Sequence, residues 1–261
     1  MSTNKEALLL RLNKEMQVQA LNEIGFPEVT FETPMSEFKE YIKWAGGLRD
    51  LRIACVKISD GTVSHFTGEE WSAMSANGKA QYSKLGVTIR ARKMEFIIAA
   101  ADCVNSDGGA TFKFGAYGVD LKNVKNYGAG NVGLYEVGYG FEDTLAAIEQ
   151  QAGKTDSQNI KGVPACEAAW NYKANAHDPL QWFLPSVAVD RLIAEYKLEI
   201  NAFLTKFFNG GTITGDWYWS STEINSTQSW YVHMHYGYSY GYGNRSYSLR
   251  VRAVALANKP Y

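Results

Sequence analysis

Apolar residues recur along this chain at two spacings, and the changes between them mark its elements. From Ser2 to Ile24, Leu9, Leu12, Met16, Ala20 and Ile24 fall on one helical stripe, which Gly25 and Pro27 end. A second helix opens at Thr33-Pro34, presents Phe38, Tyr41, Ile42 and Ala45, and stops at Gly46-Gly47. The period then falls to two. Leu51, Ile53 and Cys55 alternate with Arg52 and Lys57 in a strand spanning 51–59, Asp60-Gly61 supplies a hairpin turn, and 62–66 form the return strand. Residues 68–83, around Trp71 and Met74, read as a short helix and a connector. Residues 86–90 and 95–99 read as paired strands around Arg92-Lys93, and 105–109 as a turn cluster. Residues 111–140, rich in Gly, Tyr and Asn, read as long ordered loops.

The helical period returns at 143–151, with Leu145 and Ile148 facing inward, and again behind Pro164 over 166–172. Trp182-Phe183-Leu184-Pro185-Ser186 ends extended, because the residue before a proline avoids the helical region. Ser186 caps a helix reaching Tyr196, and another helix over 199–208 ends at Gly210-Gly211. Strands follow at 217–220, 229–235 and 249–255. Trp230, Val232 and Met234 share one face of the middle strand and Tyr231, His233 and His235 the other, so the apolar set should face the core. Glycines at 237, 241 and 243 predict loops beyond that strand.

Composition sharpens the picture at the C-terminal end. Between Asp216 and Val254 no Lys, Glu or Asp follows Glu223, and Tyr, Ser, His, Asn, Gly and Thr fill the spaces between Trp and Val positions. Surfaces normally carry charge. This mixture is that of a binding loop, in which Tyr gives contact area at low entropy cost and Ser, Asn and Gly give adaptable hydrogen bonds. The chain has 261 residues, 46% of them hydrophobic, enough for one large domain or a domain with an appendage. A formal net charge of -1 gives no argument for nucleic acid or an acidic membrane as partner. Cys55, Cys103 and Cys166 are odd in number and far apart, which favours buried free thiols over disulfides or a metal cluster. The N-terminal apolar run is short and broken by Arg11, so neither a signal peptide nor a membrane span is expected. The first helix packs on its own domain or, with so narrow a stripe, serves as an oligomer seam.

The order of Trp182–Ser186, two helices, Gly210-Gly211, Trp217-Tyr218-Trp219-Ser220-Ser221-Thr222-Glu223 and Val251-Arg252-Ala253-Val254 resembles the C-type-lectin-like variable proteins of diversity-generating retroelements, found in bacteriophages and bacteria. The resemblance covers about residues 85–257, and the Asp60–Val63 hairpin with Glu69-Glu70-Trp71 behind it looks like the lead-in of phage members. It implies an α+β chain: a C-type-lectin-like fold of short antiparallel strands and helices over 85–261, preceded by a small helical and hairpin region over 1–84 for attachment or oligomerisation. It also implies a ligand-binding, receptor-binding function. In that family a reverse transcriptase mutates a template at adenines, and asparagine codons are the main targets. Such codons cannot reach Trp, Met, Lys, Glu or Gln, and from Ile224 to Ser248 only Gln228, Trp230 and Met234 are of unreachable type. The implied ligand-binding positions are Ile224, Ser226, Thr227, Tyr231, His233, His235, Tyr236, Tyr238, Tyr240, Tyr242, Asn244, Ser246, Tyr247 and Ser248. At Arg245 the chain departs from the Lys common in the family. The implied partner is a protein or glycan on a bacterial surface. The implied home is a phage virion, possible as a homo-oligomer, with the bacterial cytoplasm as the alternative.

Other chemistry finds little footing. The Glu-Pro-Asn, Gln-Pro-Asp and Trp-Asn-Asp tripeptides of calcium-dependent sugar binders are absent, and calcium needs six to eight oxygens. His233 and His235 share a strand face without an evident third ligand, so no metal and no cofactor is expected. No nucleophile elbow, phosphate loop or dinucleotide fingerprint is present. The competing reading is an enzyme of the formylglycine-generating-like fold class with unknown chemistry, although the late reactive cysteines of that class are missing after Cys166. Asp216 and Glu223, brought together in a deep pocket with Arg250, would favour it. Arg252, set among apolar residues, is expected to be structural and held by a carboxylate or carbonyls.

Overall fold

A computed structural model describes residues 30, 48–91, 94–126, 138–235 and 238–257. The helices expected over 2–24 and 33–47, and Tyr236, lie outside them. The chain divides into two compact units, Met1–Arg49 with Arg90–Met94, and Asp50–Ile89 with Glu95–Tyr261. The first unit falls almost wholly outside the described residues.

The protein is α+β. Ten strands form two five-stranded sheets, accompanied by six helices among the described residues. The strands are β1 (Leu48–Lys57), β2 (Val63–Thr67), β3 (Tyr82–Ala91), β4 (Met94–Ala99), β5 (Thr111–Lys113), β6 (Trp217–Asn225), β7 (Gln228–His233), β8 (Tyr238–Asn244), β9 (Ser248–Arg250) and β10 (Val254–Leu256). The helices are α1 (Gly68–Ala73), α2 (Ala76–Lys79), α3 (Phe141–Gln151), α4 (Pro164–Trp170), α5 (Val187–Glu195) and α6 (Lys197–Phe208).

The first sheet runs β10-β4-β3-β1-β2. Its β1–β2 hairpin is antiparallel, with Cys55 opposite Ser64, and turns where Asp60 accepts the Thr62 amide at 3.0 Å. This hairpin shares a sheet and a compact unit with the C-terminal part of the chain. Behind it, Thr67 and Glu70 form a reciprocal cap that starts α1, and Trp71 packs with Ile53, Cys55 and Phe207.

The second sheet runs β5-β9-β6-β7-β8 and is antiparallel except where β6 meets β9 at Tyr218 and Arg250. Three expectations change here. Residues 111–113, assigned to a loop, form edge strand β5 against β9. The strand expected over 249–255 is two strands, β9 in one sheet and β10 in the other, with Val251–Ala253 passing between them. Residues 238–244, also assigned to loop, form β8 against β7. The glycines misled because Gly243 lies where the strands approach most closely: a Cβ there would stand 2.3 Å from the Tyr231 ring and 2.7 Å from the Ser229 carbonyl.

Trp182, Leu184, Trp219 and Val251 are fully buried in one core with Phe114, Cys166 and Ala253. Ser186 caps α5 through the Val189 amide, as its position after Pro185 suggested. Helix α3 forms as expected, but it buries Asp143, Thr144, Ala147 and Gln151 and leaves Leu145 and Ile148 half-exposed. Its hidden face is small and polar because it meets backbone: the Thr144 hydroxyl reaches the Gly140 and Leu184 carbonyls at 2.8 and 3.1 Å. Cys55, Cys103 and Cys166 are buried free thiols, and burial pushes all three above the ordinary thiol range.

Candidate functional site

Strand β7 presents two unlike faces. Trp230, Val232 and Met234 are 2%, 0% and 0% exposed, on the side where α5 packs against the sheet. The Arg191 guanidinium of α5 lies 6.0 Å from the Trp230 ring. On the other side Tyr231 and His233 are half-buried, and His235 beyond the strand is exposed. Trp217 joins that second side through the β6–β7 register, which sets it opposite His233 and sets Trp219 opposite Tyr231. The Trp217 ring meets Tyr231 at 4.8 Å and His233 at 4.2 Å, both edge to face. The row continues outward: Tyr231 stands opposite Tyr240 in the register, and His233 opposite Tyr238. Burial, reinforced by the nearby His235 charge, pulls the His233 pKa below its usual value, which favours the neutral ring.

A second group of candidate positions gathers where the β6–β7 and β8–β9 turns meet. Asn225 Oδ1 accepts from the Thr227 amide and hydroxyl at 2.9 and 3.0 Å, and Asn244 Oδ1 accepts from the Ser246 amide and hydroxyl at 2.9 and 2.7 Å. Ile224, Ser226, Thr227, Asn244 and Ser246 are half-buried, Ser248 is exposed, and Tyr247 is 52% exposed. The side chains of Tyr238, Tyr240 and Tyr242 lie outside the described residues. Every described candidate position therefore keeps some contact with solvent.

Arg245 ties the two turns together from beneath. It is fully buried, its Nη2 bonds Glu223 Oε1, its Nε donates to Ser229 Oγ at 3.0 Å, and its Nη1 donates to the Ala116 and Val119 carbonyls at 3.1 and 2.9 Å. Burial shifts the Glu223 pKa upward and the Arg245 pKa downward, so desolvation outweighs their mutual attraction. Sequence reasoning missed this pair, because only the fold brings residues so far apart in the chain into contact. An arginine fits this place, since its guanidinium serves a carboxylate, a hydroxyl and two carbonyls at once.

Asp216 and Glu223 are not brought together. Asp216 Oδ2 accepts from Arg250 Nε at 2.6 Å, while Glu223 belongs to Arg245. Arg250 also reaches Asp102 at 3.2 Å, and the Tyr218 hydroxyl donates to that same Asp102 at 2.9 Å. Arg252 lies buried between the sheets. It bonds the Ala99 and Gly211 carbonyls at 3.2 and 2.6 Å, and its Nε stands 3.0 Å from Asp102 Oδ1, an ion pair whose N–H is not aimed well enough for a hydrogen bond. Among the described residues no group of three or more His, Cys, Asp or Glu is placed to hold a metal ion. No described helix is long and apolar enough to cross a membrane.

No family model and no curated protein matches this chain. Among solved structures, it is similar to a fimbrial protein from Bacteroides ovatus, with a TM-score of 0.50 and 12% identity. The likeness covers 78% of this chain and 48% of that one, so this chain spans about half the length of its structural neighbour. At that identity the likeness concerns the fold alone.

Proposed function

We propose that this protein binds a ligand through a diversified surface displayed on a C-type-lectin-like scaffold, in the manner of the variable proteins of diversity-generating retroelements. The observation that carries this reading is the division of burial along 230–235: the residue types that adenine mutagenesis cannot reach, Trp230 and Met234, are buried, whereas the reachable Tyr231 and His233 are half-buried, Tyr231 resting against the core, and His235 is exposed. The same division extends to the turns, where the candidate positions surround a buried Arg245 that fixes the backbone beneath them. A surface so arranged keeps its frame while its side chains change. Its tyrosines suit a protein or glycan on a bacterial surface, and a virion is the home that fits such a receptor-binding role.

The test is a swap. Tyr231, His233, His235, Thr227 and Tyr247 are replaced together by other products of asparagine codons. Circular dichroism and melting temperature should stay nearly constant, while binding to a panel of bacterial surfaces changes. Loss of folding in most such swaps would overturn the reading.

A further inference from the structure

Three tryptophans stand on β6 and β7, and their burial differs. Trp219 and Trp230 are 0% and 2% exposed, whereas Trp217 is half-buried. The solvent contact that Trp217 keeps lies beside Tyr231 and His233, the two rings it meets edge to face. Trp217 also precedes 224–248, the stretch that holds the candidate binding positions. It is therefore a fixed aromatic residue set against exchangeable ones.

The backbone beneath it is firmly held. The Met234 amide donates to the Asp216 carbonyl at 3.0 Å. The Asp216 carboxylate accepts from Arg250 Nε at 2.6 Å and from Thr214 Oγ1 at 3.0 Å, and Arg250 is itself tied to Asp102 at 3.2 Å. Thr214, Asp216, Arg250 and Asp102 all lie outside 224–248, so these side-chain ties stay when the candidate positions change. A large ring with two side-chain torsions, on a strand held this way, loses little freedom when a partner covers it. Tryptophan is also among the residue types that dominate binding energy.

We propose that Trp217 is a constant anchor of the display face, touched by the ligand in every variant, while the exchangeable positions around it select which ligand is taken. This deepens the display reading and rests on it. Specificity is a difference of affinities, so a surface altered at many positions needs a share of affinity that does not vary with them. Trp217 supplies that share.

The experiment uses the full native chain and two variants exchanged at Thr227, His235 and Tyr247, chosen because they bind different strains in a panel of whole bacterial cells. Tyr231 and His233 are kept, so the indole keeps its neighbours. Trp217→Ala should weaken binding of all three chains to their own strains by about tenfold or more, and Trp217→Phe by less. Ile58→Ala, an exposed apolar position on the first sheet, should leave binding unchanged. Hydroxyl-radical footprinting of the three chains without substitution at 217 gives a second readout: bound cells should lower oxidation of Trp217 in each. If Trp217→Ala fails to fold, the footprint decides alone. Binding indifferent to Trp217→Ala, or a Trp217 oxidised equally with and without cells, overturns the anchor while the display reading stands. Exchanges that never redirect binding overturn the display reading, and the anchor falls with it.

Discussion

Arg245 and Glu223 are both fully buried and joined through Nη2 and Oε1, directly beneath two turns that hold half of the candidate binding positions. Neither residue needs to touch a ligand to matter. The pair sets the height and spacing of backbone that carries Ser226, Thr227, Asn244 and Ser246, since Arg245 also bonds the Ser226 carbonyl at 3.4 Å and its amide bonds the Thr227 carbonyl at 3.1 Å.

Breaking that pair on one side leaves a buried charge without compensation. Glu223→Ala and Arg245→Met should each lower stability by about 3–5 kcal/mol. Urea denaturation measures this. The double replacement should cost less than the two single losses added together, because each single variant strands the other partner.

The faces of β7 should differ sharply in tolerance. Trp230→Ala removes a buried indole packed against α5 and should cost about 3–5 kcal/mol. His235→Ala, at an exposed position, should stay within about 0.5 kcal/mol. Melting curves of the two variants in one buffer make the comparison.

Asp143 gives the fold a pH dependence. Desolvation raises its pKa from 3.8 to about 6, while the Lys125 amide, 3.0 Å from Oδ1, holds the value back. Lys125, Glu142 and Glu223 are the charged groups that act on it. A carboxyl with a raised native pKa binds more protons when folded than when unfolded between those two values. Stability therefore falls as pH rises from about 4 to about 6, by about 3 kcal/mol from this group. Chemical denaturation across that window should show the fall, and Asp143→Asn should flatten it.

Asp190 on α5 is fully buried, and neither of its carboxyl oxygens has a hydrogen-bond partner. Desolvation raises its pKa well above the ordinary carboxylate value. Asp190→Leu, of similar size and without orphaned oxygens, should raise stability by about 1–3 kcal/mol. The gain should grow as pH rises, since ionisation of the native aspartate adds to the cost. Thermal melts at acid and alkaline pH measure both statements.

Gly243 should resist substitution for a steric reason. Any Cβ there collides with the Tyr231 ring and the Ser229 carbonyl. Gly243→Ala should therefore loosen the β7–β8 pairing, seen as faster amide exchange over 228–233, while Ala at the exposed Gly108 position leaves that exchange unchanged.

Much of the local structure was written in the residues. The cap at Ser186, the Asp60-Gly61 turn, and the buried Trp230, Val232 and Met234 all follow from short-range rules of hydrogen bonding and period, and each is found in place. Arg252 could be recognised as structural from its apolar neighbours alone, because a guanidinium in such company must find carbonyls or a carboxylate. Other features depended on residues far apart in sequence. Gly243 reads as loop by local rules although β7 demands a close approach there, and residues 249–255 read as one strand although their last part pairs in the first sheet. The Glu223–Arg245 pair and the separation of Asp216 from Glu223 belong to the same class. Local propensity decides which backbone states are cheap, whereas tertiary packing decides which polar groups lose water together, and only that loss selects Arg245 as the partner of Glu223 and leaves Asp216 to Arg250.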